Sequence, residues 1–226
     1  MTHHKSHSED AEKHPKQDFM VERIAFFSDA VIAIAITLLV LEIKIPHIAK
    51  EDTYDQVVAQ LLELKYGFIE LIVSFLVIAY YWQMHHKLFK HIQNYNNRLL
   101  LANMIFLLTI IFFPFTTSLF AESGNNPSVF SLGIKLFWIN NILTLLSLCA
   151  LYWLAFKKHK ELTYLPTQAE DNAIKADMFL PLILYIVLFS TSFFYDELNT
   201  LPYIILAGVI GIKIVSYWRK GKKKVV

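Results

Sequence analysis

Residues 21–45 read VERIAFFSDAVIAIAITLLVLEIKI. From Ala30 to Leu41 nothing is charged and only Thr37 is polar, so a helix here is apolar on every side. A hydrocarbon core takes about 20 mainly apolar residues to cross, and this block has the length. Near its start stand Arg23, Ser28 and Asp29, which are costly inside a membrane unless paired or hydrated. Five further blocks of similar character follow, at 67–84, 98–120, 132–156, 178–195 and 201–218.

Composition agrees with that reading. Of 226 residues, 55% are hydrophobic and 18% charged, a balance that a soluble domain rarely tolerates. Mean hydropathy is +0.43. The net charge of +2 gives no reason to expect nucleic acid as a partner. Cys149 is the single cysteine, so an intrachain disulfide is excluded. No cleavage site follows the first apolar run, which therefore reads as an uncleaved span. Rings that suit an interface cluster at the block edges: Tyr80, Tyr81 and Trp82, then Tyr152 and Trp153, then Tyr217 and Trp218.

The positions of Lys and Arg set the expected orientation. Sixteen of the 21 fall before the first block, after the second, after the fourth and after the sixth. Positive residues are retained inside, so both termini are expected in the cytoplasm of a cell-membrane protein. The opposite loops are acidic, with Glu51, Asp52, Asp55, Glu122, Asp196 and Glu197. The expected fold is an all-α membrane protein with six transmembrane helices in one unit. A polar tail covers 1–20, the helical body 21–218 and a basic tail 219–226. Pro46 is expected to end the first span, and Pro202 sits in the first turn of the last. Pro114 should kink the third, with Thr116 or Thr117 satisfying freed carbonyls.

Helical geometry divides the first span. At about 100° per residue, Arg23, Phe27, Ala30, Ile34, Thr37, Leu38 and Leu41 share one stripe, and Ser28 and Asp29 point away from it. From Ile34 to Leu41 that stripe spans about 10.5 Å of helix axis. The topology brings Trp82, His85 and Asn103 to the depth of Ser28 and Asp29, where the five can form one hydrogen-bonded cluster. The competing reading makes Trp82 and His85 interfacial anchors only. By itself, an Ile/Leu stripe is also what ordinary helix packing produces.

The run Arg23-Ile-Ala-Phe-Phe27-Ser28-Asp29, with AVIAIAITLLVL after it, resembles the signature of the transmembrane protein 175 family of potassium channels. Trp82-x-x-His85, Asn103 and Pro114-Phe115 match the pattern of that family's next two helices. The later blocks match in hydropathy and length only. The resemblance implies a homotetramer whose central pore is lined by the first helix. It implies an apolar constriction at Ile34, Leu38 and Leu41, and it makes Thr37 the residue associated with selectivity. It also implies that Arg23, Phe27, Ser28 and Asp29, with Trp82, His85 and Asn103, brace that helix and do not coordinate the ion. The chain has no Thr-Val-Gly-Tyr-Gly run, so carbonyl-cage selectivity is not available to it.

The function expected is a potassium-permeable leak channel. No span carries the repeated arginines of a voltage sensor. The alternative is a proton-coupled secondary transporter with Asp29, His85 and Glu70 as its relay, although polar residues near the span ends and an apolar middle do not suit a midplane site. An enzyme is not expected, since no nucleophile–base arrangement or metal-ligand pair stands at catalytic spacing. No cofactor or metal is expected. The amino-terminal histidines read as part of a polar tail, and the RKGKKK tail suits anionic headgroups without implying a specific ligand. Potassium ions, further copies of the chain and the bilayer are the expected partners.

Overall fold

In the computed structural model, residues 15–121 and 127–193 are described. The chain builds helix α1 (Pro15–Leu38), a 3-10 turn (Leu39–Glu42), α2 (Tyr54–Glu63), α3 (Lys65–Phe89), α4 (Asn97–Ala121), α5 (Pro127–Tyr152) and α6 (Gln168–Thr191). A π-helical stretch (Trp153–Lys158) extends α5. Among the described residues there is no strand, and one antiparallel bridge pairs Ile92 with Thr163.

Four described helices are long and apolar enough to cross a membrane, at Met20–Glu42, Asn97–Leu119, Ser131–Lys158 and Gln168–Thr191. Their outward faces are apolar as well: Ile105, Leu108, Ile111, Phe112 and Phe115 on α4 are all exposed. So much contiguous apolar surface would drive aggregation in water, whereas hydrocarbon tails match it. The protein is an all-helical membrane protein.

The expected boundaries shift in places. α1 begins at Pro15, six residues before the apolar run, and regular helix ends well short of Pro46. α6 begins at Gln168, ten residues before the apolar block 178–195, because Thr167 and Glu170 form a capping box ahead of it. Hydropathy sees only the apolar part of such a helix. The block 67–84 lies within α3, whose 25 residues have the length of a span but whose inner third carries Gln83, His85, His86 and Lys87. The block 201–218 and both tails lie outside the described residues. The segment between the first two spans, read as a loop, contains α2, opened by a capping box of Thr53 and Gln56.

Pro114 sits inside an unbroken α4. Its missing N–H leaves the carbonyl of Ile110 without its usual partner. The hydroxyls of Thr116 and Thr117 do not fill that role. Both donate to the Phe113 carbonyl, at 3.1 and 2.8 Å. A helical threonine reaches only the carbonyls three or four residues back, and residue 110 is too far for either.

α3 touches every neighbour that fixes its depth. Ser74 is 2.7 Å from Thr117 on α4, and the Tyr81 hydroxyl donates to Asn141 Oδ1 on α5 at 2.8 Å. On α6, the Asp177 carbonyl accepts from Tyr80 at 2.7 Å and its carboxylate from Lys87 at 2.8 Å. Around these bonds pack Trp138, Tyr81, Tyr185, Phe106, Phe113 and Phe137, all wholly buried. Buried polar groups that find such partners specify one arrangement of helices that are otherwise uniformly greasy.

Candidate functional site

α1 presents two faces. Val21, Ser28, Ile32, Ala35 and Leu39 are buried against the rest of the chain, at the spacing of one helical stripe. On the other side Ile34 is 59% exposed, Leu38 39% and Leu41 71%, and Arg23, Ala30 and Thr37 are exposed with them. After Leu38 the backbone tightens into the 3-10 turn. Residues three apart eclipse in that geometry, so Leu41 lies over Leu38, where a continued α-helix would have rotated it by about 60°. The larger rise lengthens the stripe from Ile34 to Leu41 to about 12 Å. Thr37 Oγ1 donates to the Ile34 carbonyl at 2.8 Å.

The buried face of α1 ends in a directed set of bonds. His85 Nε2 on α3 lies 2.8 Å from Asn103 Oδ1 on α4, and an amide oxygen only accepts, so Nε2 carries the proton. Asn103 Nδ2 donates to Ser28 Oγ at 2.9 Å, and Ser28 donates to the Ile24 carbonyl at 2.9 Å. Alongside, Trp82 Nε1 donates to Asp29 Oδ1 at 2.9 Å. Ser28, His85 and Asn103 are buried to within 1% exposure. The His85 ring is stacked between Phe89 and Phe106, with centroids at 4.1 and 4.9 Å. Three helices are thus joined at one level, and α3 delivers both Trp82 and His85 because three residues are close to one helical turn.

Arg23 and Phe27 stand apart from this set. Both are exposed on α1, since Phe27 lies about 100° around the helix from Ser28. Glu70, on the far half of α3, is partly buried and its Oε2 has no hydrogen-bond partner among the described residues. No group of three His, Cys, Asp or Glu side chains among them could hold a metal ion. Sequence reasoning missed the bonds of Tyr81 with Asn141 and of Ser74 with Thr117. Periodicity shows that such residues are polar in an apolar helix, but not which helix each one meets.

Comparison with known proteins places these residues in context. The profile of the family described as "Endosomal/lysosomal potassium channel TMEM175" matches residues 23–114, from Arg23 through Pro114. A protein of Chamaesiphon minutus named as a potassium channel is 40% identical over 105 residues, 46% of this chain and 51% of that one. The alignment therefore spans about half the length of that relative. A Danio rerio protein named "Endosomal/lysosomal proton channel TMEM175" is 29% identical over 86% of this chain and 36% of its own length. The crystal structure of a lysosomal potassium-selective channel TMEM175 homolog from Chamaesiphon minutus superposes with a TM-score of 0.72 at 29% identity, covering 86% of this chain and 98% of that one.

Proposed function

Because this chain belongs to the TMEM175 family, we propose that it forms a potassium-permeable cation channel that voltage does not gate. The observation that carries the proposal is the division of α1: one face is bonded into its own bundle, and the opposite face is an exposed apolar stripe centred on Ile34, Leu38 and Leu41. One stripe cannot enclose a pathway. Four copies of the chain, each contributing α1 to a shared axis and each crossing the membrane six times, would close it. Ions are then held back by dewetting at the leucine and isoleucine rings, and a small widening admits them. Thr37 spends its hydroxyl hydrogen on its own helix, which leaves oxygen lone pairs to face a partly dehydrated cation. The bonds of Ser28, Asp29, Trp82, His85 and Asn103 hold α1 at the rotation that turns the stripe to the axis. The chain has three arginines in all, too few and too scattered for a voltage sensor.

A second reading is proton-coupled transport through Asp29, His85 and Glu70. The unpartnered carboxylate oxygen of Glu70 is the observation in its favour. One experiment separates the two. Purified protein in liposomes is given potassium, sodium and proton gradients in turn, and the reversal potential is measured. A channel follows the potassium gradient without a fixed exchange ratio. Saturable exchange at constant stoichiometry would replace the channel with the transporter.

A further inference from the structure

The end of the bundle that carries the excess of Lys and Arg is built from two loops, one joining α3 to α4 and the other joining α5 to α6. They are bonded to each other. Tyr164 N donates to the His91 carbonyl at 2.8 Å, and Gln93 N donates to the Leu162 carbonyl at 2.8 Å. Beside this junction lies a cavity of about 560 Å³ lined by Asn96, Asn97, Arg98 and His159. Every lining residue carries a hydrogen-bond donor, and no carboxylate lines it. Asn96 uses its side-chain oxygen to cap α4, accepting from Leu99 N at 2.9 Å, so its NH₂ remains as the donor. His159 Nδ1 is committed to Glu161 Oε1 at 3.0 Å, while Nε2 has no protein partner. Glu161 is the carboxylate of that pair. A backbone hydrogen bond first, and His159 second, hold it below its ordinary value, so it stays anionic and supports a charged imidazole. Lys157, Lys158 and Lys160 are exposed on the loop that supplies His159.

We propose that this cavity binds a phosphate group, with Arg98 as the principal anchor and His159, Asn96 and Asn97 completing its donors. A guanidinium matches phosphate oxygens in pairs, and imidazole and amide N–H groups take the remainder. The cavity opens where apolar helices give way to charged loops, which is the level of phospholipid headgroups. A headgroup phosphate and a soluble phosphate present the same oxygens to this donor set. Occupation would tie α4, which carries Asn103, to the loop between α5 and α6. Such a site lies apart from the apolar stripe and does not depend on the channel reading.

The test is thermal unfolding of the detergent-purified protein titrated with three probes. These are a short-chain phosphatidylinositol phosphate, inorganic phosphate, and a short-chain diacylglycerol that lacks phosphate. The expected result is a saturable upward shift with a phosphate-bearing probe and none with diacylglycerol. Binding of the lipid alone assigns the site to headgroups, and competition by inorganic phosphate extends it to soluble phosphate. Arg98→Gln and His159→Gln should each weaken binding by about tenfold, and Arg98→Lys by less, since it keeps the charge but loses the paired donors. Arg98 is exposed, so its variants are expected to fold, which the helical circular dichroism of each preparation checks. Lys222→Gln with Lys223→Gln in the basic tail should leave binding unchanged. The proposal is overturned if no phosphate probe gives a saturable shift, if binding survives the Arg98 and His159 substitutions, or if only the tail substitutions remove it.

Discussion

Asp29 illustrates what a single carboxylate does in a greasy helix. It accepts from Trp82 at 2.9 Å, one step around α1 from Ser28 and the Asn103 amide. Removing it strands an indole donor between helices, at about 1–3 kcal/mol. Asp29→Ala is therefore expected to lower the yield of assembled tetramer more than it changes ion preference, with both measured in one preparation. Normal assembly with strongly altered selectivity would put Asp29 on the ion path. The contact was within reach of the sequence because depth along each helix follows from span boundaries, and five polar residues fell at one depth. Arg23 and Phe27 belong to the same motif in sequence, yet they stand on the exposed side. Adjacency along a helix is a rotation of about 100°, so neighbours in a motif need not share a role.

α1 is the element in which sequence and geometry agree most closely and also diverge in detail. The stripe from Ile34 to Leu41 was readable from a 100° rotation, but the tightening after Leu38 was not. That change of pitch comes from how the end of α1 packs against α3 and α4, and local propensity carries no trace of it. α2 was missed although Thr53 and Gln56 stand at capping-box spacing, because an amphipathic helix with no buried residue leaves little hydropathic signal. The stripe has a direct consequence. Ile34→Asn or Leu38→Asn places an amide at the proposed constriction and supplies an oxygen where a dehydrated cation would otherwise find none. Potassium flux into liposomes is expected to rise and discrimination against sodium to weaken. Substitutions at Val31 and Ile36, which are partly buried off the stripe, should change flux much less at matched insertion. Equal leak from both sets would mean that the pore face is misassigned.

At the scale of the whole molecule, hydropathy and charge placement carry the class of fold, and pairwise bonds carry its arrangement. The long apolar helices follow from composition alone. That α3 is the hub, bonded through Ser74, Tyr81, Tyr80 and Lys87 to three neighbours, follows from side-chain geometry that no single-helix pattern encodes. The hub matters for function because α3 also presents Trp82 and His85 to the other side. It ties the rotation of α1 to the packing of α4, α5 and α6. The central claim is that the exposed stripe of α1 lines an ion pathway, and thiol accessibility tests it most directly. In a Cys149→Ala background, Leu38→Cys and Ile36→Cys channels are reconstituted in liposomes, and potassium flux is recorded while a water-soluble, cationic thiol reagent is added. The account predicts that flux through Leu38→Cys is blocked and that flux through Ile36→Cys is unchanged. Flux that continues through Leu38→Cys after its thiol is shown to have reacted would contradict it.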